Sequence, residues 1–172
     1  MGVGNVLDQF GRDMGMGFPA GPVIDGRYFK GKNLIPLPYS VKGMDLVFAG
    51  LLTAATQKIG NADEDDLCYS LMHTAFSMIT EVAERALAHS EKNELLVTGG
   101  VAASKALSEM LTHMCRDRGA ALHVVPIPYA MDNGAMIAWQ GMIEHRAGRT
   151  QSIPETGVNQ RYRTDQVDVF WN

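Results

Sequence analysis

The chain has few of the residues that mark disulfide-bonded or zinc-stabilised proteins. It contains only two cysteines, Cys68 and Cys115, which lie far apart in the sequence. Two such cysteines provide neither the framework of a small disulfide-rich domain nor the paired spacing of a zinc site. This usage is typical of a reducing compartment, and we therefore predict a cytoplasmic protein.

Long apolar runs and an excess of basic residues are also missing. No run of roughly 20 apolar residues occurs, so no membrane-spanning helix is expected. The first residues lack the basic and apolar regions of a signal peptide. The formal net charge is -4, which argues against a broad basic surface for nucleic acid. Binding of nucleic acid through a local basic patch, or through a partner that supplies one, stays an alternative.

What the chain does have is enough apolar sequence for one globular core. Its 172 residues are 46% hydrophobic and 20% charged, which is ordinary for a globular domain. The apolar spacing predicts helices over 5–14, 47–59 and 64–90, with a short helix or turn over 23–29. The helix over 64–90 has the clearest apolar stripe, and the acids 63–66 stand at its start, where the helix dipole favours negative charge.

The second half of the chain alternates strand and helix patterns. A strand over 94–98, a helix over 102–117, a strand over 121–125 and a helix over 132–147 predict a parallel strand pair with a helical crossover. Leu95 to Thr98 reads as a buried strand, and alternation in the tail 161–171 indicates a short edge strand. Two firm strands make a poor sheet, so either strands have been missed or further strands lie upstream; we favour the second.

Two strand–loop–helix turns carry residues suited to binding. Gly99 and Gly100 follow the first strand, and a glycine pair there lets backbone amides approach an anion closely. Asp132 follows the second strand, where a carboxylate either caps the next helix or holds a metal or a phosphate-bound cation. A plain tight turn and a plain helix cap remain the alternatives on local evidence. We expect both turns to face one crevice that takes a phosphate-bearing ligand and its metal.

Several further segments occur in a fixed order at recognisable spacing. They are Gly4–Arg12 (GNVLDQFGR), Lys42–Leu46 (KGMDL), Thr98–Ala103 (TGGVAA), Met131–Ala138 (MDNGAMIA) and Arg163–Trp171 (RTDQVDVFW). Together they resemble the C-terminal half of the tRNA threonylcarbamoyladenosine transferase family, formerly called O-sialoglycoprotein endopeptidases, in its archaeal and eukaryotic branch. The resemblance covers almost the whole chain, and several motifs in register make it specific.

The resemblance implies an α/β fold, helix-rich and with few strands, that forms part of the second lobe of an actin-like ATPase fold, as in sugar kinases and heat-shock chaperones. Residues 1–172 would form a single, truncated C-terminal lobe, with the first lobe absent. It also implies transfer of threonylcarbamoyl from threonylcarbamoyl-adenylate to N6 of the adenosine beside the tRNA anticodon. The implied partners are tRNA, the missing N-terminal lobe, and the small kinase-like and dimerising subunits of the KEOPS complex, with no membrane involved.

The resemblance assigns nucleotide contacts in the first part of the chain. Asp8 matches the aspartate that binds the ribose of an adenylate or ATP-like ligand. Gly21 matches the second glycine of a Pro-Gly-Gly-Pro loop that packs on the nucleotide, and Ala20 replaces the first glycine. Asp25 stands where the archaeal branch has an acidic nucleotide contact.

The remaining assigned residues lie in the strand–loop–helix turns. Gly99 and Gly100 match a phosphate-facing turn. Ser104 replaces an asparagine that contacts the nucleotide, and serine can make fewer hydrogen bonds. Asp132 matches a ligand of one divalent metal ion, iron or zinc. The other ligands form a His-x-x-x-His pair in the first lobe, and no such spacing occurs among the five histidines of this chain.

Two rival functions remain. The first is a non-catalytic fragment of the same family that binds nucleotide or docks partners, which the missing histidine pair and the serine at 104 favour. The second is a sugar-kinase-like phosphotransferase, which lacks an evident catalytic aspartate before a substrate loop. We nominate no general base. The older endopeptidase name has no support, because neither His-Glu-x-x-His nor Gly-x-Ser-x-Gly is present.

Overall fold

The structure is a computed structural model that describes residues 1–163 and 166–171. Most of its regular secondary structure is helical. The helices are α1 Val3–Asp13, α2 Gly21–Tyr28, α3 Ala49–Thr56, α4 Glu64–Ser90, α5 Lys105–Asp117, α6 Ile127–Ala130 and α7 Gly134–Arg146. The strands are β1 Val41–Lys42, β2 Asp45–Leu46, β3 Glu94–Val97 and β4 Ala121–Val124. Short 3-10 helices span Gly100–Ala103 and Ile153–Glu155. The predicted helix-rich α/β class with few strands is confirmed.

The chain forms two compact units, Met1–Ala130 and Met131–Asn172. The interpretation of residues 1–172 as one truncated lobe stays a prediction. In the part of the chain that the structure describes, no helix combines the length and apolar character needed to cross a membrane.

Helix α4 is the centre of the first unit. The Asp63 carboxylate accepts hydrogen bonds from the backbone N–H groups of Asp65 and Asp66, both at 3.0 Å, and so caps the first turn. The helix ends at Glu91, whose φ of 54° lies in the left-handed region. Its inner face, including Leu71 and Phe76, is fully buried. The predicted helix over 64–90 is therefore confirmed, and the consecutive acids mark its start.

Helix α2 is fixed against α4 by polar and aromatic contacts. Arg27 Nη1 lies 2.6 Å from Glu64 Oε2 and 3.3 Å from Asp65 Oδ1. At the last residue of α2, the Tyr28 hydroxyl lies 3.2 Å from Nδ1 of His73. Burial raises the pKa of Tyr28 and lowers the pKa of His73, so the imidazole favours its neutral form. These contacts hold α2, which carries two of the predicted nucleotide contacts, in a set position.

Helices α1 and α2 come close together where α1 contains Gly11. A Cβ atom added at Gly11 would lie 2.1 Å from Cβ of Ala20, a separation that real atoms do not reach. Only glycine permits this approach. The predicted helix over 5–14 is confirmed as α1, and the close packing at Gly11 places the loop before α2 directly on it.

The strands form two small sheets. Strands β3 and β4 pair in parallel, with Leu95 opposite Leu122 and Val97 opposite Val124, and α5 lies in the crossover between them. This confirms the predicted parallel pair. Strands β1 and β2 form an antiparallel hairpin that the sequence pattern does not predict.

The interpretation of β3 as a buried strand is wrong in part. Leu95 and Val97 pack on the core, but Leu96 is 67% exposed. The side chains of a strand alternate between two faces, and the helices of the first unit cover only one face of this sheet. The expectation of further strands upstream stays a prediction.

Several boundaries differ from the predicted ones, and the helix predicted over 47–59 is the shorter α3, Ala49–Thr56. The helix predicted over 102–117 begins at Lys105, after the 3-10 helix, and the helix predicted over 132–147 begins at Gly134. Within the loop between β4 and α7, residues 127–130 form a short helix, α6. The predicted edge strand over 161–171 is absent from its described residues, 161–163 and 166–171, while residues 164 and 165 lie outside the described part.

The second unit contains α7 and a structured turn. The Glu155 carboxylate caps the second 3-10 helix, because its Oε2 accepts hydrogen bonds from both the N–H and the hydroxyl of Ser152 at 2.8 Å. The Arg149 guanidinium lies 3.8 Å above the ring of Phe170, a cation–π contact. None of the residues of α7 is buried.

Candidate functional site

The turn after β3 presents two glycines to open space. Gly99 has φ 97° and ψ 166°, a region that residues with a side chain rarely adopt, and Gly100 begins the 3-10 helix. An added Cβ at either glycine would have no atom within 4 Å. Packing therefore does not require Gly100, and a ligand can approach the backbone of the turn. The first amides of a helix have no partner within it.

The helix that follows this turn directly is shorter than predicted. It is a 3-10 helix of four residues, in which Ala102 N–H donates to Gly99 O at 3.0 Å. The α-helix α5 starts only after Ser104, so its N-terminus does not lie at the glycine pair. The glycine turn itself, rather than an α-helix dipole, is what this segment offers to an anion.

Ser104 joins α5 to α2. Its Oγ accepts a hydrogen bond from Leu107 N–H at 3.3 Å and caps α5. The same hydroxyl donates to Asp25 Oδ1 at 2.5 Å across 79 residues of sequence. Two residues that the resemblance assigned separately to the nucleotide site are thus in direct contact.

Asp8 is tied to the loop that leads into α2. Its Oδ1 accepts a hydrogen bond from Ala20 N–H at 2.9 Å, and Ala20 is buried. The next residue, Gly21, is the first of α2, and an added Cβ there would meet no atom within 4 Å. Asp8 therefore holds the loop in place, while Gly21 leaves open space at its surface.

Six of the seven predicted site residues lie on contacting elements of the first unit. Helix α1 contacts both α2 and the first 3-10 helix, and α2 contacts α5. An added Cβ at Gly4 would lie 3.6 Å from Val101 Cγ2, which shows how near the start of α1 is to the turn after β3. These elements carry the nucleotide contacts Asp8, Gly21, Asp25, Gly99, Gly100 and Ser104.

An open depression of about 460 Å³ lies beside Ser104, between the start of α5 and the loop after β4. Its walls include Lys105, Ser108 and Glu109, three polar residues that are not among the predicted site residues. Their position on the first turn and a half of α5 is the only signal in the sequence that could have pointed to them. The remaining lining residues are Ala102, Ala103, Val124, Val125, Pro126 and Ile127.

Asp132 lies in the second unit, immediately before α7, and is exposed. The alternative interpretation, in which Asp132 caps the following helix, is wrong. Asn133 is the cap, because its Oδ1 accepts a hydrogen bond from Met136 N–H at 2.8 Å and its Nδ2 donates to Met131 O at 2.9 Å. The helix thus has its cap without Asp132. Among the described residues, none makes a hydrogen bond to the Asp132 carboxylate.

The described residues do not by themselves fit a complete metal centre. Residues 1–163 and 166–171 contain no group of three or more His, Cys, Asp or Glu side chains placed to hold an ion. Asp132 offers one carboxylate, whereas protein-bound divalent metals take about four to eight ligands. The expectation that Asp132 and the glycine pair face one crevice stays a prediction, because the two lie in different units.

The cysteines take no part in the candidate site. Cys68 and Cys115 are both free and buried. Burial raises the pKa of Cys68 to about 12 and also raises the pKa of Cys115. Both remain thiols at neutral pH, and neither is suited to act as a nucleophile or a metal ligand.

Comparison with known proteins points to one family. The family model described as tRNA N6-adenosine threonylcarbamoyltransferase matches residues 1–139, a range that contains all seven predicted site residues. A protein of Methanocella arvoryzae with that name is 46% identical over 99% of this chain and 53% of its own length. A protein of the same name from Thermococcus gammatolerans is 49% identical over 100% of this chain and 54% of its own length.

Longer relatives match as well. A probable bifunctional tRNA threonylcarbamoyladenosine biosynthesis protein of Methanothermobacter thermautotrophicus is 52% identical over 98% of this chain and 32% of its own length. The chain thus spans about half the length of some curated relatives and a third of others.

Among solved structures, HypF from T. kodakarensis superposes with a TM-score of 0.64, at 20% identity, over 81% of this chain and 20% of that one. At this identity the likeness concerns the fold alone. Together with the family match, it confirms the predicted fold class, part of a lobe of the actin-like ATPase type.

Proposed function

The chain belongs to the tRNA N6-adenosine threonylcarbamoyltransferase family, and on that premise we propose that it forms the C-terminal lobe of a tRNA-modifying enzyme. The enzyme transfers threonylcarbamoyl from threonylcarbamoyl-adenylate to N6 of the adenosine beside the tRNA anticodon. One observation carries the proposal: the family match over residues 1–139 includes every residue proposed for the site. A first lobe, absent from this chain, completes the enzyme.

In this proposal the first unit holds the nucleotide part of the adenylate. Asp8 and Asp25 each have one carboxylate oxygen engaged within the protein, and their other oxygens accept hydrogen bonds from ribose hydroxyls. Gly21 leaves room for the nucleotide at the start of α2. The backbone amides at Gly99 and Gly100 approach the anionic phosphate.

The proposed reaction is an acyl transfer to an amine. The N6 amine attacks the carbamoyl carbonyl carbon, a carbon–nitrogen bond forms, and the bond from that carbon to the phosphate oxygen breaks. AMP leaves with the electron pair of the broken bond, and the amine loses one proton. The contribution of this lobe is to bind and orient the adenylate. A bound and oriented adenylate reacts with the bound tRNA in an effectively unimolecular step.

The metal and the partners are also part of the proposal. We assign Asp132 as one ligand of a divalent ion, iron or zinc, whose other ligands come from the first lobe. A bound ion at that place would supply Lewis-acid polarisation. The proposed partners are tRNA and the small kinase-like and dimerising subunits of the KEOPS complex, in the cytoplasm.

Replacing Asp8 with asparagine tests the nucleotide site. Asparagine keeps an oxygen that accepts the Ala20 N–H, so the loop before α2 stays in place. Its amide group removes the free carboxylate oxygen that would accept a ribose hydroxyl. A hydrogen bond to a charged group contributes about 1.5–3 kcal/mol, so the full-length protein is expected to show a KM for the adenylate about 10-fold to 100-fold higher.

The matched control is Asp117→Asn, which changes the exposed last residue of α5 away from the proposed site. Transfer of radiolabelled threonylcarbamoyl to tRNA gives both kinetic constants. An Asp8→Asn variant with an unchanged KM and an unchanged melting temperature would remove Asp8 from the nucleotide site.

A second candidate function is that of a non-catalytic module, which the incomplete set of metal donors in the described residues favours. Such a module binds ATP weakly and without a metal. Calorimetric titration of the 172-residue chain with ATP, with and without zinc, tests this second role. We expect weak binding that zinc does not change; tight binding that depends on zinc would contradict a passive module.

A further inference from the structure

We propose that Ser104 is a positioning residue: it fixes one carboxylate oxygen of Asp25, so that the other oxygen is presented to a hydroxyl of the nucleoside. The inference rests on the proposed nucleotide site and assigns Ser104 an indirect role there. The resemblance placed Ser104 in direct contact with the ligand, in the place of an asparagine. The geometry of its hydroxyl points to a different role.

The hydroxyl of Ser104 is fully committed as a donor. A serine hydroxyl has a single hydrogen. That hydrogen is directed to Asp25 Oδ1 at 2.5 Å, while the oxygen accepts from Leu107 N–H at 3.3 Å. A ligand group that needed a donor from Ser104 would have to break the bond to Asp25. The asparagine amide of other family members carries two donor hydrogens and is not limited in this way.

Asp25 gains a defined orientation from this contact. It lies half-buried in α2, and a hydrogen bond from a hydroxyl to a carboxylate is short and strong. Only Oδ1 is engaged; among the described residues, none donates a hydrogen bond to Oδ2. A carboxylate with one oxygen fixed and one oxygen free is pre-organised as an acceptor, which lowers the entropy lost on binding.

Asp8 shows the same arrangement on the neighbouring helix. Its Oδ1 is engaged by Ala20 N–H at 2.9 Å, and no described residue donates to its Oδ2. The two helices contact each other. Two carboxylates, each with one oxygen held and one available, are suited to a ligand that offers hydroxyl donors, such as the diol of a ribose.

Ser104 is itself held rigidly. Its N–H donates to Val101 O at 3.0 Å, and its carbonyl accepts from Ser108 N–H at 3.1 Å. Through the 3-10 helix it is joined to the glycine turn at Gly99. Ser104 therefore links the position of the turn to the orientation of Asp25, although the two belong to different elements.

The test uses adenosine as the probe, because an uncharged nucleoside avoids repulsion by an introduced carboxylate. In the full-length protein, Ser104→Asp keeps an acceptor for Leu107 N–H and so keeps the cap of α5. It removes the donor to Asp25 and places a like charge beside it. We expect adenosine to bind about 10-fold more weakly to this variant, while Ser104→Thr, which keeps the hydroxyl, binds within about twofold of the unchanged protein.

A second variant covers the case in which Ser104→Asp does not fold. Ser104→Gly removes the hydroxyl without adding charge, and glycine is tolerated at the cap of a helix; the same loss of affinity is expected. In an Asp25→Ala background, neither change at 104 should weaken binding further. This dependence on Asp25 separates a positioning role from a direct contact or a general loss of structure.

Three results would overturn the inference. If both variants at 104 bind adenosine normally while Asp25→Ala weakens binding, Ser104 does not position Asp25. A loss that persists in the Asp25→Ala background assigns Ser104 a direct contact instead. If the unchanged full-length protein does not bind adenosine, the proposed nucleotide site fails, and the inference fails with it.

Discussion

Replacing Asp132 with alanine is expected to abolish tRNA modification by the full-length protein without lowering its stability. The carboxylate is exposed, makes no hydrogen bond with a described residue and does not cap α7. If it is a metal ligand, its loss should cost at least as much as the loss of an outer-shell partner, about 100-fold in activity or metal affinity. Transfer assays, metal analysis of the purified protein and thermal melts measure the three effects.

Asn133→Ala is the matched control for that experiment. It removes the cap of α7, whose amide partner lies 2.8 Å away, and should destabilise the protein by about 1 kcal/mol with little loss of bound metal. The two neighbouring positions therefore separate a binding role from a structural one. Retained activity and retained metal in Asp132→Ala would remove Asp132 from the proposed mechanism.

The sequence around Asp132 and Asn133 does not predict which of the two residues caps α7. Both residues are good caps, and both precede the helical pattern. Which one caps the helix depends on the backbone at one residue: Asn133 has φ -150° and ψ 149° and directs its side chain at Met136 N–H. Local composition could not distinguish the two, and only the path of the loop decides between them.

Local patterns did predict the elements that depend on local interactions. Helix α4 follows from one apolar stripe and a run of acids at its start, and its bounds are those predicted. The parallel pair of β3 and β4 follows from the alternation of strand and helix. By contrast, the hairpin of β1 and β2 is so short that no periodicity could reveal it.

Contacts between distant residues were outside the reach of local patterns. The hydrogen bond from Ser104 to Asp25 spans 79 residues, and the one from Ala20 N–H to Asp8 depends on a loop that returns to α1. The resemblance placed these residues in one site by analogy. The structure adds how they are held, which is the information on which the proposed role of Ser104 depends.

Replacing Gly11 with alanine is expected to destabilise the protein, although alanine favours helix. The helical preference would contribute about 0.5–1 kcal/mol of stability. The added methyl group, however, would lie 2.1 Å from Cβ of Ala20, an atom that no side-chain rotation can move away. Overpacking of this kind costs about 1–3 kcal/mol, so steric strain should outweigh propensity. Urea denaturation should show a lower midpoint at an unchanged m-value.

Gly4→Ala is the control on the same helix. Its added Cβ would meet Val101 Cγ2 at 3.6 Å, an ordinary contact, so only the helical preference should act and stability should stay equal or rise. If Gly11→Ala were also neutral, α1 and the loop before α2 could separate without cost, and the close approach at Gly11 would not be a constraint on the fold.

The double variant Gly11→Ala with Ala20→Gly moves one methyl group from the loop to the helix. The space between the two segments is then occupied once, as in the unchanged chain, and glycine at 20 also restores the Pro-Gly-Gly-Pro pattern of the family. Residues in direct contact show interaction energies of about 0.5–3 kcal/mol, and the second change should therefore recover most of the stability lost in the first. Because Ala20 N–H is the group that holds Asp8, Gly11→Ala should raise the KM for the adenylate, and the double variant should restore it. If the stability lost in the double variant equals the sum of the losses in the two single variants, Gly11 and Ala20 are not coupled.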